Sequence, residues 1–133
     1  MKTFLDAGVL LSAWLGHSPR SIAAKSLVAD ESRDFLTSDA VKLELLPKPT
    51  FEKRRAELDY YNDHFKSIAS EPFSAELGAA ALTLAKKYGL AAMDALHLAS
   101  AIRQGADEFI TSELPGKPMF RVPGIKIISL HSL

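Results

Sequence analysis

The sequence contains no cysteine, which excludes disulfide bonds, thiolate metal sites and cysteine nucleophiles. It also has no apolar run near the roughly 18 residues of a membrane-spanning helix. Charge of either sign is not in excess, because 16 Lys and Arg residues balance 16 Asp and Glu residues. Domains that bind nucleic acid are often strongly basic, so the overall charge does not by itself indicate that class. Nothing in the composition requires an oxidising compartment.

The residues that are present have the composition of a folded domain. The chain has 133 residues, of which 47% are hydrophobic and 24% are charged. It has no low-complexity tract and no internal repeat, so it reads as globular rather than disordered. This length is enough to bury one hydrophobic core, and we expect a single domain over residues 1–133.

The amino-terminal stretch resembles a secretory signal at first sight, because Lys2 precedes an apolar run that extends to Leu15. Asp6 places a charge within that run, and no small-residue cleavage site comes before His17. We therefore interpret the stretch as the first strand and helix of the fold. We expect a cytoplasmic protein that does not contact a membrane.

Short apolar runs rich in Phe, Ile and Leu alternate with longer stretches of helical periodicity. This alternation is typical of βα units that form a parallel sheet. The predicted strands are 2–5, 34–37, 66–69, 107–111 and 126–130. The predicted helices are 7–15, 19–30, 39–46, 50–64, 73–88 and 92–104. We expect Asp39 to cap the third helix and the helix at 73–88 to pack on the sheet. The expected fold is a three-layer α/β/α architecture with a central, mainly parallel sheet.

Four acidic residues follow or lie within apolar stretches: Asp6, Glu44, Asp94 and Glu113. Buried carboxylates are rare unless they are paired or bind a cation, so this pattern indicates one metal-holding pocket. Asp6 and Glu113 each follow a predicted strand, and open α/β sheets present ligands at the carboxyl ends of their strands. Asp107 enters its strand from the opposite end, so we expect it to face away from the pocket.

The same four segments carry a family resemblance. They are Phe4-Leu5-Asp6 with Val9-Leu10, Leu43-Glu44, Met93-Asp94-Ala95-Leu96-His97-Leu98-Ala99-Ser100-Ala101, and Phe109-Ile110-Thr111-Ser112-Glu113. Together they resemble the PIN-domain ribonucleases, and most of all the VapC-type toxins of bacterial and archaeal toxin–antitoxin pairs. The resemblance implies a Mg²⁺-dependent endoribonuclease that cleaves single-stranded or structured RNA and binds a cognate antitoxin. It allows a homodimer, and the sequence leaves the oligomeric state open.

The implied chemistry is hydrolysis of a phosphodiester bond at a metal centre. Mg²⁺ takes oxygen ligands, keeps several waters and accepts few carboxylates, so three or four acids suit one or two Mg²⁺ or Mn²⁺ ions. The resemblance makes Asp6, Glu44 and Asp94 catalytic metal ligands, bound directly or through water, with Glu113 supporting a second position.

Two positions depart from the family pattern. Ala7 stands where the family usually has Thr or Ser, and Glu113 stands where it usually has Asp. The alternative function is therefore a PIN-fold module that has lost activity and binds a protein partner.

Three of the four acids also have an ordinary structural explanation. Asp6 precedes a helix and can cap it. Glu44 can pair with Lys48 one turn later, but such a pair contributes only ~0.2–0.5 kcal/mol. The apolar neighbours of Glu44 lead us to expect that it does not face solvent. Asp94 lies in a first helical turn, where the helix dipole favours an acid. His97 is expected to be a hydrogen-bonded structural residue.

A local cluster of basic residues offsets the neutral overall charge. If four acids are held in a pocket, 12 acidic residues remain against 16 basic ones, a balance of +4. The cluster close to Glu44 consists of Lys42, Lys48, Lys53, Arg54 and Arg55. We predict that it binds RNA phosphates. The alternative, that Lys53–Arg55 is a solvated helix face balanced by Glu52 and Glu57, fits the sequence equally well.

Overall fold

The structure is a computed structural model that describes residues 1–133. Its five strands are β1 (Lys2–Leu5), β2 (Asp34–Ser38), β3 (Ala69–Glu71), β4 (Glu108–Thr111) and β5 (Lys126–Ser129). They form one sheet in the order β3-β2-β1-β4-β5, and every neighbouring pair is parallel. The α/β fold predicted from the alternating pattern is confirmed, with a sheet that is fully parallel.

Seven α-helices connect the strands. They are α1 (Ala7–Leu15), α2 (Pro19–Val28), α3 (Asp39–Leu45), α4 (Pro47–Phe51), α5 (Arg55–Phe65), α6 (Ala75–Tyr88) and α7 (Ala92–Arg103). Parallel crossovers are almost always right-handed, so α1 to α5 cover one face of the sheet and α6 with α7 covers the other. This gives the predicted three layers. None of the helices combines the length and apolarity that a membrane span requires.

The direction in which the connections progress across the sheet reverses between β1 and β4, which are parallel neighbours. The Phe4 and Phe109 rings stack across this pair at 5.6 Å, and the Asp6 backbone N–H donates to the Ile110 carbonyl at 3.1 Å. One connection leaves β1 toward β2, whereas β4 continues toward β5 on the other side. Open α/β sheets bind ligands at the carboxyl ends of strands where the connections part in this way.

Helix α6 packs chiefly against α7, which corrects the expectation that it lies on the sheet. Its Leu77 and Ala81 form a small buried cluster with Ala95 and Ala99 of α7. Helix α7 in turn packs on β2 and β4. The apolar stripe of α6 predicts correctly that one face is covered, but periodicity does not identify the element that covers it.

The predicted helix at 50–64 is two helices. Helix α4 ends at Phe51 and α5 begins at Arg55, with Lys53 between them at φ 56°. A lysine in the left-handed region is uncommon, so residue type gave no signal for this break. Pro47 occupies the first turn of α4, where its missing N–H costs no hydrogen bond.

Two smaller boundaries also differ from the prediction. Ser38, rather than Asp39, caps α3, because its hydroxyl accepts a hydrogen bond from the Val41 backbone N–H at 3.2 Å. Strand β3 lies at Ala69–Glu71, later than the predicted 66–69.

His64 on α5 is packed between aromatic rings. Its ring centroid lies 5.1 Å from that of Phe35 and 5.6 Å from that of Phe65, and its Nε2 is buried without a hydrogen-bond partner. Burial lowers the pKa of His64 from 6.5 to about 4, and the charge of Asp63 opposes this only in part. The folded protein therefore holds this imidazole neutral.

We expect His64→Leu to reduce the acid sensitivity of the fold. The folded-state pKa lies below the unfolded value, so the unfolded chain takes up the extra proton first as the pH falls. The stability that depends on neutral His64 is complete above about pH 6.5 and is lost between about pH 6.5 and pH 4, at up to ~1.4 kcal/mol per pH unit. Urea unfolding of both proteins across this window measures the difference. Parallel pH profiles would contradict the assignment.

Candidate active site

A cavity of about 220 Å³ opens at the carboxyl edge of the sheet. It is lined by Asp6, Ala7, Gly8, Leu11, Glu44, Leu45, Asp94, His97, Ser112 and Glu113. The structure thus brings together all four acids that the sequence singles out. They come from the end of β1, from α3, from α7 and from the segment after β4.

Asp6 serves as a helix cap and as a wall of this cavity. Its Oδ1 accepts a hydrogen bond from the Val9 backbone N–H at 3.1 Å, and the residue is 6% exposed. Burial raises the pKa of Asp6 to about 6, and the charge of Glu44 adds to that effect. Hydrogen bonds from Thr111 and Val9, together with His97, act in the opposite direction. Asp6 therefore does cap α1, but burial still disfavours the charged form of its carboxylate in the cavity.

Glu44 pairs with His97 and not with Lys48. The His97 Nε2 lies 3.0 Å from the Glu44 Oε1, and this hydrogen bond lowers the pKa of Glu44. His97 is 2% exposed, so it is the hydrogen-bonded buried residue that the sequence favours. The Glu44 side chain is 39% exposed, however, and the expectation that it avoids solvent is wrong. Its neighbour Leu43 is exposed as well, so α3 is buried on one side only.

Asp94 lies half-buried in the first turn of α7. Burial raises the pKa of its carboxyl, and the charges of Glu113 and Glu44 raise it further. His97 and Lys117 act in the opposite direction. Because Ala91 provides no side-chain cap, Asp94 is the acidic group that complements the helix amino terminus.

Glu113 is held by its backbone more than by its side chain. Its N–H donates to the Thr111 hydroxyl at 3.1 Å, and its carbonyl accepts from the Ser129 hydroxyl at 2.6 Å. The Lys117 ammonium lies 3.8 Å from the Glu113 carboxylate, and both side chains are well exposed. Sequence reasoning gave Lys117 no role at this acid, although its position four residues after Glu113 was a usable signal.

Gly8 and Ser112 also line the cavity, and the close contact between them was not predicted from the sequence. A Cβ atom on Gly8 would lie 2.0 Å from the Ser112 hydroxyl oxygen and 3.0 Å from the Ser112 Cβ. Only glycine therefore lets this hydroxyl approach the first turn of α1 in the observed geometry. A glycine inside the first turn of a predicted helix was the available signal.

The donor set of the cavity suits a hard divalent cation. The four acids supply carboxylate oxygens as ligand atoms. The Nε2 atom of His97 is already hydrogen-bonded to Glu44. No three His, Asp or Glu side chains already surround a common point, so the acids do not form a closed protein cage. Carboxylate oxygens are ligands that Mg²⁺ and Mn²⁺ accept, and these ions keep several waters and bind through few carboxylates. A nearby cation would also offset the burial and repulsion that raise the pKa values of Asp6 and Asp94.

The basic cluster near Glu44 does not line the acidic cavity. The Lys42 ammonium lies over the Phe65 ring at 5.5 Å, and Lys48 is exposed on α4. Lys53 and Arg55 line a separate cavity of about 600 Å³.

Arg54 is balanced by Glu52 and Glu57, as in the alternative to RNA binding that the sequence allowed. Its Nε lies 3.3 Å from a Glu52 carboxylate oxygen and 3.2 Å from one of Glu57. Glu57 is buried and also accepts a 2.6 Å hydrogen bond from the Tyr61 hydroxyl. Arg54 therefore compensates a buried charge.

Comparison with known structures shows the same architecture in three toxin structures. A toxin–antitoxin complex from Klebsiella pneumoniae matches with a TM-score of 0.70 and 18% identity, over 96% of this chain and 97% of that chain. VapBC2 from Rickettsia felis, bound to a DNA fragment from its promoter, matches with a TM-score of 0.71 and 20% identity, over 97% and 98%. VapC20 from Mycobacterium tuberculosis, a toxin that cleaves the sarcin–ricin loop, matches with a TM-score of 0.67 and 18% identity, over 87% and 92%. At these identities the likeness is one of fold.

Sequence comparison gives the family. No curated protein sequence matches the chain significantly. The family model for the PIN domain matches residues 3–113, a span that contains all four cavity acids. The chain therefore belongs to the PIN-domain family.

Proposed function

We propose that this protein is a Mg²⁺- or Mn²⁺-dependent endoribonuclease and the toxin of a toxin–antitoxin pair. The observation that carries the proposal is one cavity lined by four acids that come from four separate segments of the chain. Two of these acids, Asp6 and Asp94, have raised pKa values. Perturbed carboxyls that converge in one cavity are characteristic of functional sites. Membership of the PIN-domain family and the RNA-cleaving activity of VapC20 support RNA as the substrate class.

Asp6, Glu44 and Asp94 would hold the cation directly or through water, with Glu113 supporting a second position. A bound divalent ion supplies an activated water and stabilises the leaving oxygen in phosphodiester hydrolysis. The hydrogen bond from Val9 orients Asp6, and the hydrogen bond from His97 orients Glu44. Lys117, next to Glu113, would bind a phosphate group of the RNA at the rim of the cavity.

An exposed apolar surface formed by α3, α4 and the segment before α6 supports a protein partner. Phe51 is 88% exposed, Leu43 is 58% exposed and Phe73 is 51% exposed, and together they line a shallow cavity. Large apolar side chains grouped on a surface mark interaction sites. Because two of the similar structures are toxin–antitoxin complexes, we propose that an antitoxin covers this surface.

We expect Asp94→Asn to reduce RNA cleavage by about 100-fold or more, because the amide keeps the side-chain volume but loses the anionic ligand. Steady-state cleavage of a labelled RNA in Mg²⁺ measures the effect, and circular dichroism checks that the fold is kept. Asp107→Asn is the matched control, because Asp107 lies at the opposite edge of the sheet and accepts from the Lys2 backbone N–H. Cleavage near the wild-type rate in Asp94→Asn would remove this residue from the active site.

We expect Mg²⁺ or Mn²⁺ to raise the melting temperature, because a cation that binds only the folded state stabilises it. At a metal concentration tenfold above Kd the gain is about 1.4 kcal/mol, or roughly 4–6 °C for a chain of this length. Asp6→Asn should shrink this gain. In EDTA the variant should melt no lower than the wild type, because asparagine keeps the cap to Val9 and buries no charge. Equal melting temperatures with EDTA and with metal would argue against the site.

The basic cluster is tested best by combining Lys53→Ala with Arg55→Ala. Arg54 is left unchanged because it pairs with the buried Glu57. If both residues bind phosphates, the slope of log K against log salt should flatten by up to about 1.4 on single-stranded RNA, while metal affinity stays the same. A double variant of Lys86 and Lys126, two exposed lysines without ion pairs, is the matched control. Unchanged RNA binding at every salt concentration would leave Lys53 and Arg55 as solvated surface residues.

A further inference from the structure

A second cavity adjoins the acidic one. It has a volume of about 370 Å³ and shares Gly8, Leu11 and Ser112 with the acidic cavity. Its other lining residues are Ser12, Leu15, His17, Ser18, Arg20 and Ser21. We call it the α1–α2 cleft, because these residues belong to α1, to α2 and to the turn between them. A chain that leaves the acidic cavity past Ser112 enters this cleft directly.

Arg20 is the arginine of the cleft, and no carboxylate neutralises it. Arg33, Arg54 and Arg103 each form an ion pair with Asp or Glu, whereas Arg20 lies 3.0 Å through its Nη1 from the Nε2 of His131. A guanidinium only donates hydrogen bonds, so the imidazole nitrogen is the acceptor in this contact. Arg20 therefore keeps its full charge and most of its N–H donors beside the acidic cavity.

His131 is itself anchored to the acidic cavity. Its backbone N–H donates to the Ser129 hydroxyl at 3.1 Å, and that hydroxyl donates to the Glu113 carbonyl at 2.6 Å. The short 3₁₀-helix Leu130–Ser132 also packs on α2, and Leu130 is buried. This series of contacts holds the backbone at His131 close to Glu113, and the exposed imidazole of His131 in turn contacts the Arg20 guanidinium.

We propose that the α1–α2 cleft binds an RNA phosphate adjacent to the scissile one, with Arg20 as the phosphate-binding residue and His131 as its positioning residue. The proposal rests on the proposed function. A metal ion in the acidic cavity would offset its carboxylates at the scissile phosphate, and a neighbouring phosphate of the chain needs a cation beyond that cavity. An arginine binds phosphate through two parallel N–H donors, and the hydroxyls of Ser12 and Ser112 add neutral donors along the same wall.

The test measures binding of fluorescein-labelled oligouridylate to proteins that all carry Asp94→Asn, in EDTA, across a range of salt concentrations. Arg20→Ala should weaken binding by about tenfold and flatten the salt slope by about 0.7, the value for one phosphate contact on a single strand. Arg20→Lys should retain the slope but bind more weakly than arginine, because it loses the paired donors. Arg121→Ala, an exposed arginine without an ion pair, is the control and should match the parent.

His131→Ala should weaken binding by a smaller factor without changing the salt slope, since it removes a positioning group and leaves the Arg20 guanidinium in place. In the cleavage-competent protein with Mg²⁺, Arg20→Ala should raise KM more than it lowers kcat. Arg20 is exposed, so melting temperatures of the variants should stay at that of the parent.

The proposal is overturned if Arg20→Ala binds the oligonucleotide like its parent, or if Arg121→Ala loses as much affinity and slope. It is also overturned if Arg20→Ala impairs capture of a protein partner while RNA binding is unchanged. The outcome is separable from the proposed function: RNA cleavage that is lost in Asp94→Asn but unaffected by Arg20→Ala supports the nuclease and rejects the subsite.

Discussion

The parallel pairing of β1 with β4 is the contact on which the site depends. It is closed by the stacked rings of Phe4 and Phe109 and by the hydrogen bond from Asp6 to Ile110. This pairing brings Asp6 and Glu113 to the same edge of the sheet, although more than a hundred residues separate them in the sequence. The helices that carry the other two acids then close over that edge from both faces of the sheet. A shift in this register would separate the cavity residues without removing any one of them.

The two edges of the sheet treat carboxylates differently. At the amino edge, the buried Glu108 pairs with Arg33 and accepts from the Thr3 hydroxyl at 2.8 Å, so the protein itself compensates the charge. At the carboxyl edge, burial and mutual repulsion raise the pKa values of Asp6 and Asp94, and no arginine enters the cavity. At one edge an arginine of the chain compensates the buried carboxylate, whereas at the other edge no arginine compensates Asp6 and Asp94.

Sequence reasoning recovers the features that local patterns encode. The strands, the parallel sheet and the position of Asp6 at a strand end follow from alternating apolar runs. It fails where a distant residue decides the outcome. The hydrogen bond between Glu44 and His97 joins two helices whose residues are 53 positions apart, and the pair of Arg20 and His131 joins positions separated by 111 residues. The break at Lys53 has a third cause, because it is a backbone conformation that lysine rarely adopts.

The contact between Gly8 and Ser112 couples two distant positions of the sequence. A side chain at position 8 has no room while Ser112 keeps the observed rotamer, because its Cβ atom would lie 2.0 Å from the Ser112 hydroxyl oxygen. The effects of substitutions at these positions are therefore not additive, as is general for residues in contact. A change at position 8 that is harmful alone becomes less harmful once glycine stands at position 112, because the hydroxyl and the Cβ atom of Ser112 are then both absent. The order in which the two changes arise therefore determines which variants of this chain are accessible.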